Sequence, residues 1–241
     1  MLVFGKVEHG EQPGNISPWI DANFEPIEIY LEQIETQSHR RFIKTHTPLD
    51  GIPYDPDCAY LVVFRDPRDM YCSMLNHRDN YVDKEVGFAV FPSGASAFQD
   101  WVDAPLKNDV FDSQSLAGAA HFLKTYWEYR DLPNVHLFHY SEMKSDLKSN
   151  IEKMAAALDV NVSDDLLDDM TKAATFESMK KKANQFAPLA GSGLWEEESR
   201  FFASGRNAQW KEILTTENLK AFDSRISELL SPEQISWLVR S

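Results

Sequence analysis

A lysine and a histidine two positions apart could carry out acid–base chemistry near residue 45. Lys44 and His46 lie in residues 41–49, which have the sequence RFIKTHTPL. If this segment is extended, alternate side chains share a face, so Lys44 and His46 project into one site. Histidine is suited to act as a general base near neutral pH, and an ammonium group beside it attracts a negatively charged transferring group. The pair alone is also typical of a solvated strand end, so both interpretations stay open.

A second group of residues could bind an anion. Arg65 follows a run of apolar residues, and Asp66 and Pro67 come next as the predicted N-cap and first residue of a helix. An arginine at the carboxyl end of a strand can offer two N–H groups to an anion, and the start of the next helix offers unpaired backbone N–H groups. Ser73 lies two turns into that helix, on a side that could face the same anion. The alternative is a capped helix start with surface ion pairs.

Alternating strands and helices must position these residues. The strongest strand prediction is residues 58–64, a nearly continuous apolar run of the kind found in strands buried on both faces. Further strands are predicted at 41–45 and 134–140, and a loop at 84–112. Predicted helices span 27–35, 67–80, 115–130, 144–158, 163–182, 216–230 and 232–240. This order predicts an α/β fold, with a mostly parallel sheet flanked by helices, and such sheets bind ligands at the carboxyl ends of their strands.

Composition narrows the class of protein. The chain has 241 residues, of which 43% are hydrophobic and 26% charged, and this is typical of one globular domain spanning residues 1–241. No apolar run approaches the roughly 18 residues that a membrane helix needs. The net charge of −14 disfavours nucleic-acid and anionic-lipid partners. Cys58 and Cys72 have neither metal nor redox spacing, so we expect reduced thiols in a cytoplasmic protein.

The two motifs together resemble a known family. The chain is similar to the cytosolic sulfotransferases that use 3′-phosphoadenylyl sulfate (PAPS), and to their bacterial aryl and alcohol sulfotransferase relatives. Residues 42–49 resemble the family's catalytic-histidine segment, and residues 60–73 resemble its 3′-phosphate segment, including the eight-residue spacing from Arg65 to Ser73. The similarity continues, in the family's order, through NVHLFHYSEM at 134–143, TFESM at 175–179, and FFASG at 201–205 with Trp210 and Lys211 after it.

The resemblance implies a reaction and a set of residue roles. The fold would be the sulfotransferase fold, which is related to that of the P-loop kinases. The reaction would be transfer of a sulfuryl group from PAPS to a small phenol, alcohol or amine, without a metal. His46 would be the general base, and Lys44 would lie close to the transferring group. The residues that would bind the donor are Arg65 and Ser73 at the 3′-phosphate, Tyr140, Thr175 and Phe176 on the adenine side, and Gly205 and Arg206.

The chain also departs from the family pattern. The family's donor site begins with a strand and a Pro-Lys-Ser-Gly-Thr-Thr-Trp loop for the 5′-phosphosulfate, and no such sequence occurs here. We therefore expect an N-terminally incomplete domain without the first strand and phosphate loop, with poor turnover, since losing one such stabiliser costs roughly a hundred- to a thousandfold in rate. In addition, Ala203 and Ser204 stand where many relatives carry Arg-Lys, and Arg206 could supply the missing charge.

Several alternatives stay open. The chain is either an active sulfotransferase or a catalytically impaired fragment or pseudoenzyme that only binds a nucleotide or a partner. The dimerisation motif of animal relatives is broken after Thr215, so we expect a monomer or a weak homodimer. A group of aromatic side chains could either pin the loop at 84–112 or line an acceptor pocket. They are Phe88, Phe91, Phe98 and Trp101, with Trp19 and Trp195 as further candidates.

Overall fold

A computed structural model describes residues 1–8, 10, 12–22, 25–90, 94, 96–107 and 114–240, without the side chains of residues 88–90. Within this part of the chain the strands are β1 (Tyr60–Phe64) and β2 (Val135–His139). The helices are α1 (Pro13–Ile16), α2 (Ile27–Glu35), α3 (Pro67–Asn80), α4 (Lys84–Val90), α5 (Ala97–Asp103), α6 (Leu116–Trp127), α7 (Tyr140–Ser145), α8 (Leu147–Ala157), α9 (Asp164–Ala173), α10 (Phe176–Lys181), α11 (Ala183–Phe186), α12 (Glu198–Phe201), α13 (Trp210–Ile213), α14 (Thr216–Leu229) and α15 (Pro232–Leu238). Short 3₁₀ helices span Leu2–Phe4 and Leu49–Gly51.

The two strands form a parallel pair. Tyr60 lies opposite Val135, and the register continues to Phe64 opposite His139. Helices α3 to α6 make the crossover between the strands. Because both strands end at the same edge, the residues that follow them, Arg65 and Tyr140, meet there, as expected for a parallel sheet. The predicted α/β class and the strands near 58–64 and 134–140 are confirmed.

Other predicted elements are wrong. Residues 41–45 do not form a strand but make one bridge between Lys44 and Trp19. The N–H group of Lys44 bonds to the carbonyl of Pro18, and the N–H groups of His46 and Thr47 just after this segment bond to the Asp21 carboxylate. The predicted loop at 84–112 contains α4 and α5 in its described part. The predicted helix at 163–182 is divided into α9 and α10, because Thr175 begins a new helix as its N-cap.

One face of β1 is less covered than its sequence predicts. Val62 and Phe64 are each only 6% exposed, but Val63, on the other face, is 50% exposed. The prediction that this strand is buried on both faces is therefore wrong. Of the described residues, only those of β1 and β2 form the sheet, and no second layer fully covers the side to which Val63 points.

The core lies on the opposite face of β1, between α3, α5, α6 and α14. The predicted buried stripe of α6, consisting of Leu116, Ala120, Leu123 and Trp127, is confirmed. Ser115 begins this helix and accepts a hydrogen bond from the N–H group of Gly118, as an N-cap does. No helix in the described part of the chain has both the length and the apolar character needed to cross a membrane.

Two of the aromatic residues proposed for an acceptor pocket belong to this core. Phe98 and Trp101 are 5% and 2% exposed, and both rings pack against Tyr71 of α3. They therefore hold α5 on α3, which fits the alternative in which these rings pin this part of the chain. Phe91 and the side chain of Phe88 lie outside the described residues.

Buried charges at the start of α3 hold the segment at 203–210. The Asp69 carboxylate is 1% exposed and accepts backbone N–H groups from Ala208, Gln209 and Trp210. Beside it, Asp66 caps α3 and pairs with Arg68, whose guanidinium lies 3.8 Å from the centroid of the Trp210 ring. The turn after β1 and this distant segment are therefore fixed to each other.

We expect Asp69→Ala to lower the free energy of unfolding by about 2–4 kcal/mol, because buried backbone N–H groups would lose their acceptor. Urea denaturation would measure the change. The control is Asp168→Ala, which removes an exposed carboxylate paired with Lys148 and should have little effect. Equal losses in the two variants would contradict the role given to Asp69.

Candidate active site

Arg65 lies at the carboxyl edge of the sheet with part of its hydrogen-bonding capacity unused. Its guanidinium stands over the Tyr140 ring, 4.5 Å from the centroid, and one terminal N–H group donates to the carbonyl of Arg206 at 3.0 Å. Its Nε is buried and has no hydrogen-bond partner among the described residues. A buried donor on a positively charged group normally has a partner, so this arrangement fits an anionic ligand.

Ser73 and His77 lie one turn apart on α3, close to this arginine. The Ser73 hydroxyl is 3.4 Å from His77 Nε2, and both residues are partly buried. The His77 ring stacks on Phe201 with centroids 4.7 Å apart. Burial, and then the nearby Arg65 charge, lower the pKa of His77 to about 4, so the imidazole is neutral at pH 7. His77 was not among the site residues predicted from the sequence, although its four-residue spacing from Ser73 was a usable signal.

The segment at 203–206 closes this site from the opposite side. Gly205 has a φ of 60°, and a Cβ atom there would lie 2.5 Å from the Phe176 ring. The Lys180 ammonium donates to the carbonyl of Ala203 at 2.8 Å, and the Lys144 ammonium donates to the carbonyl of Gly205. Two positive charges therefore reach this segment from α10 and α7. Neither lysine was predicted from the sequence, because both are distant from this segment along the chain and belong to no motif.

Two predicted donor-binding side chains have other partners. The Arg206 guanidinium pairs with Glu212 at 2.9 Å and 3.1 Å, so it is the carbonyl of Arg206 that contacts Arg65. The Thr175 hydroxyl caps α10 by accepting the N–H group of Ser178, and it donates to the carbonyl of Lys172. In this structure the charge of Arg206 is therefore directed to Glu212 rather than to the space beside Ala203 and Ser204. Donor binding by Thr175 and Arg206 stays a prediction.

The structure brings Lys44 and His46 together against one indole ring. The Lys44 ammonium is 3.8 Å from the centroid of the Trp19 ring, and the His46 ring centroid is 4.3 Å from it. An ammonium group over an aromatic face is attracted by the ring's quadrupole. Trp19 therefore limits the positions that both side chains can take. Trp195, the other outlying tryptophan, packs instead against His77 and Phe201.

A carboxylate that the sequence analysis missed orients the histidine segment. Asp21 Oδ2 accepts the hydroxyl groups of Thr45 and Thr47 at 2.6 Å each, and the backbone N–H groups of His46 and Thr47 at 3.0 Å each. Burial alone would raise the pKa of Asp21, but these hydrogen bonds outweigh it and lower the pKa. Because Asp21 lies 25 positions before His46, no local pattern in the sequence connects them.

Helix α6 connects the two groups of residues. We call Arg65, Ser73, His77, Tyr140 and Gly205 the arginine cluster, and Lys44, His46, Trp19 and Asp21 the histidine cluster. Phe122 of α6 packs against Phe64, the residue before Arg65, with ring centroids 5.6 Å apart. Three residues later, the Thr125 hydroxyl accepts the N–H group of Leu49, next to the histidine cluster. One rigid element therefore supports both clusters.

A comparison with protein-family models identifies the family. The model described as the sulfotransferase domain matches residues 5–233. The chain belongs to the sulfotransferase family. This confirms the resemblance seen in the sequence and makes the protein a member of a family of transferases. Among the described residues, no three His, Cys, Asp or Glu side chains are grouped so that they could hold a metal ion, and independence from metals stays a prediction.

Individual sulfotransferases match over most of the chain. A glycolipid sulfotransferase of Mycobacterium bovis is 32% identical over an alignment of 264 residues, gaps included, and the alignment covers 98% of this chain and 81% of the relative. The luciferin sulfotransferase of Photinus pyralis is 29% identical over 217 residues, covering 84% of this chain and 53% of the relative. Among solved structures, a mouse sulfotransferase complexed with PAP, the desulfated donor, gives a TM-score of 0.70 at 20% identity, covering 92% of this chain and 76% of that one.

The lowered pKa of His77 predicts a pH dependence of stability. The unfolded residue, with a pKa near 6.5, takes up a proton as the pH falls, while the folded residue stays neutral down to about pH 4. The neutral His77 therefore makes its full contribution to the free energy of unfolding above pH 6.5, and this contribution is lost progressively as the pH falls towards 4. We expect His77→Phe to remove about 2 kcal/mol of the fall in unfolding free energy between pH 7.5 and pH 5.

Urea denaturation at the two pH values measures this difference. Some pH dependence should remain in the variant, because burial also lowers the pKa of His139. An equal fall in unfolding free energy in the variant and the parent protein would contradict the prediction.

Proposed function

We propose that the protein transfers a sulfuryl group from PAPS to a hydroxyl or amine of a small acceptor, with His46 as the general base. The observation that carries the proposal is the buried Nε of Arg65 at the carboxyl edge of the sheet, which has no hydrogen-bond partner within the described part of the chain. Ser73 lies on the helix that follows Arg65, so a guanidinium and a hydroxyl are available for the 3′-phosphate of the donor. This is the pair of roles that the family resemblance assigns to these residues.

The surroundings of Arg65 fit the rest of a nucleotide. The Tyr140 ring lies beneath the Arg65 guanidinium, and Gly205 lets the segment at 203–206 approach the Phe176 ring closely, so two aromatic side chains are near this arginine and this segment. Lys144 and Lys180 add positive charge at the carbonyl groups of the same segment. In a chain with a net charge of −14, this concentration of cations favours an anionic ligand at this place. The mouse sulfotransferase with the same fold is complexed with PAP.

The histidine cluster fits the acceptor side of the reaction. PAPS would supply the sulfuryl group, and the His46 imidazole would accept the proton of the attacking hydroxyl or amine. Asp21 holds the backbone of residues 45–47, and Trp19 packs against the ring, so the imidazole is held in one orientation before the acceptor arrives. Lys44 would place a positive charge where negative charge builds up during transfer.

The names of the relatives indicate which functional group the acceptor carries. Relatives of this chain include glycolipid, luciferin and amine sulfotransferases, whose names point to acceptors with hydroxyl or amino groups. We propose an acceptor of this general kind for a single-domain cytoplasmic protein that is monomeric or weakly dimeric. The two free cysteines, Cys58 and Cys72, fit this location.

We expect His46→Ala to reduce sulfuryl transfer about a hundredfold or more while PAP affinity changes less than about twofold, because the base contacts the acceptor rather than the nucleotide. The rate of sulfuryl transfer is measured with ³⁵S-labelled PAPS and a panel of phenols, alcohols, glycolipids and amines. The affinity for PAP is measured by calorimetry. His121→Ala is the control, since His121 pairs with Asp50 on the surface. Equal activity of the His46 variant and the parent protein would remove His46 from the role of base.

Arg65→Met should weaken PAP binding by about ten- to a hundredfold, because a charge-assisted hydrogen bond to the 3′-phosphate is lost while the aliphatic stem over Tyr140 is kept. Adenosine 5′-phosphate, which lacks the 3′-phosphate, should bind both proteins equally. Arg225→Met, which removes an arginine paired with Glu228 on α14, is the matched control. An unchanged affinity for PAP would contradict the proposed 3′-phosphate site.

A further inference from the structure

His77 is the polar neighbour of Ser73 inside the arginine cluster, and the roles proposed so far do not use it. Its Nε2 atom lies 3.4 Å from the Ser73 hydroxyl oxygen, one helical turn away on α3. Phe201 stacks on one side of the imidazole at an interplanar angle of 27°, and Trp195 packs against it with centroids 5.8 Å apart. The ring is therefore held in place by packing on α12 and on the segment that precedes it.

The hydroxyl group of Ser73 has one proton to give. If that proton goes to His77, Ser73 can offer an approaching phosphate only lone pairs, which repel it. If His77 donates instead, Ser73 accepts from the imidazole and keeps its own proton for the anion. A neutral imidazole donates from only one nitrogen, so this second arrangement requires the tautomer with the proton on Nε2.

The structure points to a positioning role that rests on the proposed function: we propose that His77 donates from Nε2 to Ser73 and thereby aims the Ser73 hydroxyl proton at the 3′-phosphate of the donor beside Arg65. His77 does not touch the nucleotide. It acts through Ser73 in the same way that an outer partner orients a ligating side chain.

The surroundings of His77 indicate that it acts by orienting the Ser73 hydroxyl and not by carrying a positive charge. The imidazole lies against two aromatic rings and close to the positively charged Arg65, and both conditions disfavour a second proton. A neutral His77 adds no charge to the site, so its effect is limited to one hydrogen bond and its direction. We therefore expect a contribution smaller than that of Arg65.

The test compares two substitutions of His77. His77→Phe keeps an aromatic ring against Phe201 and Trp195 but removes the N–H group. His77→Gln places an amide N–H group near the position of Nε2. Asn76→Ala is the control on the same helix, since Asn76 is exposed and bonds only the carbonyl of Cys72 among the described residues.

Calorimetric titration of each protein with PAP and with adenosine 5′-phosphate measures the contribution of the 3′-phosphate. We expect His77→Phe to weaken PAP binding by about three- to tenfold and to leave adenosine 5′-phosphate binding unchanged. His77→Gln should recover most of the PAP affinity, and Asn76→Ala should match the parent protein. A residue with a packing role alone would weaken both nucleotides together and would not be rescued by glutamine.

A second measurement needs no substitution. ¹⁵N spectra of histidine-labelled protein saturated with PAP distinguish the two neutral tautomers of His77. A proton on Nε2 supports the proposal, and a proton on Nδ1 overturns it even if the His77→Phe variant fails to fold.

The outcomes separate this inference from the proposed function. If the parent protein binds PAP no better than adenosine 5′-phosphate, the proposed 3′-phosphate site fails, and the His77 role fails with it. If Arg65→Met weakens PAP binding but His77→Phe does not, the 3′-phosphate site stands and only the role of His77 is overturned.

Discussion

The site depends on one buried carboxylate. Asp69 is almost fully enclosed, and its oxygens accept successive backbone N–H groups from a segment about 140 positions later in the chain. An enclosed carboxylate is tolerated because those hydrogen bonds replace the water that it loses. The result is a fixed distance between the end of β1 and residues 203–210. The arginine cluster is assembled across that junction, with Arg65 on one side and Gly205 on the other.

The parts of the molecule that the sequence predicted are those set by local rules. The apolar run before Arg65, the Asp66 N-cap and Pro67 together specify a strand, a turn and a helix within a few residues, and the structure has all three. The apolar stripe of α6 repeats with the helical period, so its buried face was also predictable. The family resemblance added the order of the segments.

The parts that could not be predicted depend on contacts between distant residues. Asp21 reaches the histidine segment, and Lys180 and Lys144 reach the segment at 203–206, only after the chain has folded. The error at residues 41–45 has the same origin. The sequence indicated a short strand there, but the N–H group of Lys44 bonds to the carbonyl of Pro18, and the Asp21 carboxylate binds the N–H groups of His46 and Thr47 just after it. The exposure of Val63 also could not be predicted, because the apolar sequence of a strand does not determine how many layers of structure will cover it.

The contact between Gly205 and Phe176 limits how this region can change in evolution. Gly205 has a positive φ, and any side chain there would overlap the Phe176 ring. Position 205 can therefore gain a side chain only if position 176 becomes smaller at the same time and the backbone leaves its left-handed conformation. Among descendants of this sequence, the two positions should change together or stay fixed, and a larger residue at 205 beside an intact Phe176 would mark a copy that has lost this surface.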